Sequence, residues 1–413
     1  MADAPDLDEL AALYRDLHAH PELAFAEHRT AGIVAERLLG LGYQVTTGVG
    51  GTGVVGLLAN GDGPTVLLRA DMDGLPVLEQ TGLPYASTVR GKHSDGTDIP
   101  VMHACGHDMH VTCLLGAAAE LAAGLDAWRG TLLLVFQPAE EGGGGAQAML
   151  DDGLYARFPA PGIVLGQHVM PLPAGVLAVH GGPAMAGGDA LRVVLHGQGG
   201  HGSRPETTVD PILMASAIVL RLQGVISHEV AASESAVLTV GALRAGTAPN
   251  IIPDQAELLL SLRFFNDEVR DKARAAIDRI IRAEAAASGA QKDPEITTTV
   301  SFPVLANDPD ACARLTEIFN AGVGLALDPG PVTGSEDVGL LASAVGVPCA
   351  YWFLGGSDPA LFEGVTTIDE ARNIVDGLPS NHSPLFAPVI DPTIRTGVTA
   401  LTAAARAWLA TAG

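Results

Sequence analysis

Short apolar runs that end in polar residues stand out in the first half of the chain. Residues 65–70, 131–136 and 162–166 are almost wholly apolar, which is typical of strands buried on both faces of a sheet. A helical pattern rich in Ala and Leu covers 110–123, between the first two runs. This alternation of strand and helix predicts an α/β domain with a mostly parallel sheet. Such domains bind their ligands at the carboxyl ends of the strands.

Other patterns extend this domain at both ends. Apolar positions recur at helical spacing over 7–41, and we predict one helix there that is stopped by the glycines at its end. After residue 303 the α/β pattern of helices and apolar strands returns, with predicted helices over 308–321 and 392–412 and a predicted strand over 348–354.

The middle of the chain follows a different order, β-α-β-β-α-β, which is typical of a ferredoxin-like α+β domain. The predicted strands cover 189–199, 235–245, 255–265 and 296–302, and the predicted helices cover 210–230 and 267–287. We therefore expect a larger α/β domain interrupted by a smaller inserted one, with segments 1–186, 187–302 and 303–413.

Composition narrows the class of protein. The 413 residues are too many for one ordinary core, and the formal net charge of −24 argues against nucleic-acid backbones and anionic membranes as partners. Four cysteines are too few for a disulfide framework in a chain of this length. The first six residues lack a signal-peptide pattern, and no run of about eighteen uncharged apolar residues predicts a membrane span. We expect a cytoplasmic protein.

Four segments carry side chains that bind divalent metals, each placed where a strand or turn is expected to end. They are 103–108, 138–142, 166–168 and 381–384, and together they offer thiolate, imidazole and carboxylate groups. Borderline-soft divalent metals bind these three groups together. A shared metal site is therefore expected, and such a site indicates hydrolytic chemistry.

The paired residues in these segments allow a functional and a structural interpretation. Cys105 and His107 stand two apart, so in an extended segment both side chains would face one metal; the alternative is a buried thiol beside a surface histidine. Glu140 and Glu141 follow a buried strand, so one can bind the metal while the other moves protons; the alternative is a solvated acidic loop.

Single residues are harder to assign. His168 follows an apolar strand and His382 lies in a loop, and each is either a ligand or a structural residue. His201 lies among glycines that let it approach a ligand, with an exposed loop as the alternative. Asn250 is a turn residue at minimum, and His18 is assigned as structural or surface.

Seven segments in a fixed order resemble the M20 metallopeptidase superfamily. They are 68–76, 103–110, 136–142, 201–205, 248–253, 334–337 and 381–384. The pattern is similar to the branch of amidohydrolases that cleave N-acyl amino acids, hippurate and auxin–amino acid conjugates. The resemblance runs from about Leu13 to the last predicted helix.

This resemblance implies a catalytic domain that holds two divalent metal ions, with the inserted ferredoxin-like domain acting as a lid. The implied ligands are Cys105, His107, Glu141, His168 and His382. Glu140 matches the general base. His201 matches a lid histidine that polarises the scissile carbonyl, often delivered by the partner subunit of a dimer. Asn250 matches a lid residue near the substrate carboxylate.

Two features stay open at this point. Peptidase branches carry His-x-Asp where this chain has Asp71-Met72-Asp73, which leaves the roles of Asp71 and Asp73 undecided. A thiolate ligand favours zinc, while the resemblance also allows manganese, nickel or cobalt.

The expected activity is metal-dependent hydrolysis of the amide bond of a small N-acyl or N-aroyl amino acid. A dipeptidase or aminopeptidase of the same superfamily is the alternative among enzymes. A non-catalytic ligand-binding relative is the alternative outside them. The resemblance also implies a homodimer formed through the lid domain.

Overall fold

The computed structural model describes residues 6–92 and 96–411. The acidic start of the chain, which lacks a signal pattern, lies outside the described residues except for Asp6, and so does residue 412 of the predicted closing helix. The described residues divide into two compact units. The larger unit contains the chain up to Ala184, Ala306–Gly330 and the chain from Asp337 onward, and the smaller contains Met185–Leu305 and Pro331–Glu336.

Apolar strands form the centre of the larger unit, which is built on a nine-stranded sheet. Its four central strands pair in parallel, and their side chains are buried on both faces. The predicted α/β class with a mostly parallel sheet is therefore confirmed. The strand order is Gln44–Val49, Gly53–Asn60, Trp128–Gln137, Thr65–Asp71, Ile163–Pro173, Cys349–Ser357, Val176–Ala178 and Leu325–Leu327, and Ala410–Thr411 pairs with Trp128–Gln137. A separate hairpin is formed by Arg90–Lys92 and Asp98–Pro100.

Helix His107–Ala123 is the central helix of the larger unit. Nearly all of its side chains are buried, because its Ala- and Leu-rich sequence has no polar face to present to water. It packs against Leu7–Ala19, Thr393–Trp408 and the strand Thr65–Asp71. The other helices of this unit are His28–Gly40, Gly145–Asp151, Leu154–Arg157, Pro309–Gly322, Gly339–Ser343 and Ile368–Gly377, with 3₁₀ turns at Leu125–Ala127 and Pro359–Phe362.

The single helix expected over 7–41 is wrong. The structure has two helices there, Leu7–Ala19 and His28–Gly40, with Pro21 in the break between them. The Glu22 carboxylate accepts hydrogen bonds from two backbone amides in the first turn of the second helix, at 2.8 Å each. Proline disfavours a helical residue before it, and the carboxylate satisfies amides that a new helix start leaves free.

The smaller unit has the predicted β-α-β-β-α-β order. Its antiparallel sheet runs Ala236–Ala245, Gln255–Phe264, Gly187–His196 and Glu295–Phe302, and its helices are Pro211–Glu229 and Asp267–Ala287. Alternate strand residues such as Leu191, Val193 and Leu195 pack with both helices in one core. A two-stranded ribbon, Gly200–His201 with Ile251–Ile252, and a 3₁₀ turn at Pro205–Thr207 complete the unit. Short strands Gly182–Met185 and Leu305–Asn307 lie where the chain passes between the units.

By length and composition alone, one helix within 6–92 and 96–411 is apolar enough to cross a membrane, Pro211–Glu229. Its inner residues Met214, Ile218 and Leu222 are fully buried in the core of the smaller unit. We therefore interpret it as a core helix with one exposed apolar face.

Candidate metal centre

Parallel pairing brings the expected metal-binding segments to one region of the larger sheet. Asp71, at the end of its strand, stands in register with Gln137 at the end of the neighbouring strand. Glu140 and Glu141 follow that second strand closely. His168 belongs to the strand Ile163–Pro173, on the other side of Thr65–Asp71. The carboxyl edge predicted from the apolar runs is thus where these side chains lie.

Cys105 and His107 are brought together by a helix start rather than by an extended segment, so that expectation is wrong. Gly106 takes the left-handed conformation, with φ of 81°, and His107 is the first residue of the central helix. A Cβ atom at Gly106 would lie 2.3 Å from a methyl carbon of Val169. The turn places Cys105 Sγ 3.4 Å from His168 Nε2.

His107 lies among four carboxylates, one of which is Asp71, whose Oδ2 is 3.7 Å from His107 Nε2. His107 Nδ1 is 3.2 Å from Asp73 Oδ1, and its Nε2 is 3.8 Å from Glu141 Oε1 and 4.0 Å from Glu140 Oε2. His107 Nε2 and Glu141 Oε1 are both buried and have no hydrogen-bond partner within the described part of the chain. The other Glu141 oxygen lies 3.3 Å from His382 Nε2.

His382 reaches this group from a strained loop. Its φ of 71° is unusual for a residue with a side chain, and its amide donates to the Ala104 carbonyl at 2.8 Å. The side-chain amide of the neighbouring Asn381 donates to the backbone carbonyls of Val169 and Cys105, at 3.1 and 3.3 Å. These bonds tie the late segment of the chain to the segment that carries Cys105.

The expected ligands therefore converge. In each of the following groups the ligand atoms lie within 4.8 Å of one another: Cys105, His107 and His168; Cys105, Glu141 and His382; His107, Glu140 and Glu141. Sulfur, imidazole and carboxylate donors are the set that zinc and its neighbours in the first transition row take. The two buried atoms without partners are also explained by a cation, since burial of an unpaired polar atom is otherwise costly. The residues fit a divalent metal.

Asp73 organises the acidic pair, which answers one question left open by the sequence. Its Oδ1 accepts from the Glu140 backbone amide at 3.1 Å, and its Oδ2 accepts from the Glu141 amide at 3.0 Å. The same carboxylate faces His107 Nδ1. A carboxylate on one ring nitrogen fixes the tautomer and leaves the other nitrogen for a metal.

Asp71 is committed to protein partners. It lies 2.5 Å from an Arg69 guanidinium nitrogen and 2.5 Å from His110 Nδ1. The Val169 amide donates to His110 Nε2 at 2.8 Å, so both ring nitrogens of His110 are engaged. His110 and Asp71 therefore support the strand ends, and Asp71 also lies next to the expected ligand His107, with its Oδ2 3.7 Å from His107 Nε2.

Two carboxylates that sequence reasoning missed hold the loop of the acidic pair. Asp337 accepts from the Gln137 side-chain amide at 2.6 Å and from the Ala146 backbone amide at 3.1 Å, on either side of that loop. Glu27 accepts from the Ala139 amide at 2.8 Å, and Ala139 has a positive φ of 50°. Burial raises the pKa of Glu27. The only signal in the sequence that could have indicated Asp337 is the Glu336-Asp337 dipeptide, which lies in one of the segments that resemble the family.

The electrostatics of the centre favour positive charge. Burial by itself would lower the pKa of His107, but Asp71, Asp73 and Glu141 outweigh it and raise that pKa to about 10. Burial raises the pKa of the Cys105 thiol well above its usual value, and the charges of Glu141 and Glu140 add to the effect. A bound cation would therefore displace protons from both side chains.

His18 is buried and does not belong to the surface. Its Nδ1 lies 2.7 Å from Asp108 and its Nε2 lies 3.0 Å from Glu79. Burial opposes the charge, yet the two carboxylates raise the pKa of His18 to about 10. Asp108 follows the predicted ligand His107 directly, so this ion cluster supports the first turn of the central helix.

The two expected lid residues, His201 and Asn250, lie together in the smaller unit. The Gly202 amide donates to the Asn250 carbonyl at 2.8 Å, beside the pairing of His201 with Ile251. Both side chains are exposed.

The chain belongs to the family described as Peptidase family M20/M25/M40, which matches residues 67–376. It is 39% identical over 351 residues to hippurate hydrolase of Campylobacter jejuni, covering 84% of this chain and 88% of that protein. It is 37% identical over 353 residues to thermostable carboxypeptidase 1 of Saccharolobus solfataricus, covering 84% and 86%.

A solved structure agrees with this assignment. The Bacillus subtilis YXEP protein, a dinuclear metal binding peptidase from the M20 family, superposes with a TM-score of 0.74 at 29% identity over 98% of both chains. The resemblance to this family that the sequence motifs predicted is confirmed. The chain is a metal-dependent hydrolase of this family.

Proposed function

We propose that this chain hydrolyses the amide bond of small N-acyl and N-aroyl amino acids, releasing a carboxylic acid and a free amino acid. The observation that carries this proposal is the division of the acidic pair. Glu141 faces His107 and His382. Glu140 lies beside His107, and the Glu140 backbone amide is held by Asp73. The similarity to a hippurate hydrolase supports an N-aroyl amino acid as substrate.

The proposed cofactor is a pair of divalent ions, Zn, Mn, Ni or Co. Five side chains would hold them: Cys105, His107, Glu141, His168 and His382. When bound, such ions polarise the amide carbonyl and lower the pKa of water. The similarity to a dinuclear metal binding peptidase supports two ions rather than one.

Glu140 is the proposed general base. Water adds its oxygen to the amide carbon while its proton passes to the Glu140 carboxylate. The carbon–nitrogen bond then breaks, and Glu140 returns the proton to the leaving nitrogen. Glu140 is buried, with 5% of its surface exposed, so bulk water does not compete for that proton.

The inserted unit is the proposed lid. His201 would donate a hydrogen bond to the carbonyl oxygen as negative charge develops there, and donors of this kind contribute roughly 3 kcal/mol. Asn250, which directly precedes the ribbon strand Ile251–Ile252, would bind the substrate carboxylate.

Peptide hydrolysis is the second proposed activity, because one similar protein is named a carboxypeptidase. The two activities share the amide bond and differ in what flanks it. The two activities can be ranked by the initial rates of hydrolysis of hippurate, acetyl-amino acids and dipeptides, measured with one enzyme preparation.

A homodimer through the lid is proposed from its surface. Leu213 and Leu220 on helix Pro211–Glu229 are 69% and 76% exposed, and Val237 is exposed on the edge strand Ala236–Ala245. A second copy would cover this apolar face and pair the free edge. Light scattering on wild type and Leu220→Glu tests it, with a monomeric variant expected. A cytoplasmic location is proposed from the count of four cysteines, which is too few for a disulfide framework in a chain of 413 residues.

Glu140→Gln tests the central proposal. We expect kcat for hippurate to fall by about 10²- to 10⁴-fold while the metal content stays unchanged, since the ligand set is intact. Glu36→Gln, at an exposed position, is the control and should keep full activity. A Glu140→Gln enzyme with wild-type kcat would refute the assignment of the base.

A further inference from the structure

His201 is held in a fixed position by its backbone. It pairs with Ile251 in the short ribbon, and the Arg204 amide donates to its carbonyl at 2.8 Å. A Cβ atom at Gly202 would lie 3.2 Å from the Asn250 carbonyl oxygen, so a larger residue there would press the two strands apart. The ring of His201 therefore starts from a defined backbone.

One ring nitrogen of His201 is occupied by Ser203. The Ser203 backbone amide donates to His201 Nδ1 at 3.1 Å, and the Ser203 hydroxyl oxygen lies 2.8 Å from the same nitrogen. A backbone amide can only donate a hydrogen bond, so Nδ1 must act as the acceptor. The neutral ring then carries its one proton on Nε2. Within the described part of the chain, no hydrogen bond involves that Nε2.

We propose that Ser203 is a positioning residue that selects the Nε2–H tautomer of His201. This inference rests on the proposed function, in which His201 donates to the carbonyl oxygen of the substrate. The other tautomer would set a ring N–H against the Ser203 amide and leave Nε2 as a lone pair. A lone pair would repel the negative charge that develops on the carbonyl oxygen during hydrolysis. Ser203 thus keeps the donor on the nitrogen that is free to meet substrate.

The direct test is nitrogen NMR of the zinc-loaded protein labelled with ¹⁵N-histidine, because zinc is diamagnetic. The His201 signals are identified by their loss in His201→Ala. Ser203→Ala loses the hydroxyl and keeps the backbone amide, so one of the two donors to His201 Nδ1 remains. We expect the Nε2–H tautomer in wild type and, because its stabilisation is weaker in Ser203→Ala, a larger share of Nδ1–H in that variant.

Kinetics supply the second readout. Loss of one hydroxyl donor should lower kcat by about fivefold with little change in KM, and Ser203→Thr, which restores a hydroxyl, should recover most of it. Ser227→Ala is the matched control. It removes a serine hydroxyl that lies 2.8 Å from the Nδ1 of another lid histidine, His228, and should change neither the His201 signals nor kcat.

The outcomes separate this inference from the proposed function. If His201→Ala keeps wild-type kcat, the proposed role of His201 fails and the inference falls with it. If His201→Ala is impaired but wild-type His201 shows the Nδ1–H tautomer or a protonated ring, only the Ser203 inference is overturned. An unchanged tautomer and unchanged kcat in Ser203→Ala would also overturn it.

Discussion

Replacing Asp73 by asparagine should weaken metal binding, although Asp73 is not one of the expected ligands. The carboxylate accepts two buried backbone hydrogen bonds, from Glu140 at 3.1 Å and Glu141 at 3.0 Å, and it faces His107 Nδ1 at 3.2 Å. Asparagine has one oxygen and one NH₂ group in the same shape. Its NH₂ must therefore face at least one of these donors, which leaves a buried N–H without an acceptor.

The magnitude follows from that count. A buried donor left unsatisfied costs about 1–3 kcal/mol, and loss of a carboxylate behind a ligating histidine weakens metal affinity by about 10- to 100-fold. The two estimates agree, because tenfold corresponds to about 1.4 kcal/mol. We expect zinc affinity to fall within that range, with a parallel loss of kcat as the backbone of Glu140 shifts.

The assay is competition for zinc against a chromophoric chelator, run on wild type, Asp73→Asn and the control Asp62→Asn. Asp62 lies in an exposed turn, so its amide variant should bind zinc like wild type. Equal zinc affinity and equal kcat in wild type and Asp73→Asn would refute the role given to Asp73.

Two further changes probe the support of the site. Gly106→Ala places a Cβ atom 2.3 Å from Val169, whereas Gly82→Ala, at a φ of 73° in open space, adds only backbone strain. In urea unfolding, the loss of unfolding free energy should be about 1–3 kcal/mol larger for Gly106→Ala than for Gly82→Ala. Equal losses in the two variants would count against the close approach of Gly106 to Val169. Because the pKa of folded His18 is raised from 6.5 to about 10, its stabilisation is complete below pH 6.5 and is lost as pH rises through about 10. The unfolding free energy of zinc-saturated wild type should thus fall over that interval, by an amount on the order of 5 kcal/mol. His18→Gln should flatten this slope, and an identical slope in both proteins would remove His18 as its cause.

The elements that the sequence predicted well are those governed by local pattern. Buried strands such as Thr65–Asp71 are continuous apolar runs, and the helix Asp267–Ala287 has an amphipathic period, so each is readable without its neighbours. The expected ligands were adjacent to such strands or in recognised segments. The convergence of Glu141 and His168 at one end of the sheet follows from the parallel pairing of their strands with Thr65–Asp71.

What the sequence did not indicate depends on contacts between distant residues. The break at Pro21 is stabilised by Glu22, and the helix start at His107 depends on a left-handed Gly106 packed on Val169. Asp337 holds a loop that lies about 200 residues earlier in the chain, which no local period can show. The burial of His18 could not be predicted for the same reason, because its partners Asp108 and Glu79 lie far from it in the chain.

Stepwise zinc addition to the chelator-treated protein, followed by hippurate hydrolysis, tests the whole account most directly. Because the five expected ligands converge in overlapping groups, we expect activity to rise with added zinc and to level off at about two equivalents per chain. Full hydrolysis by the metal-free protein, or a rate that does not rise as zinc binds, would contradict the account.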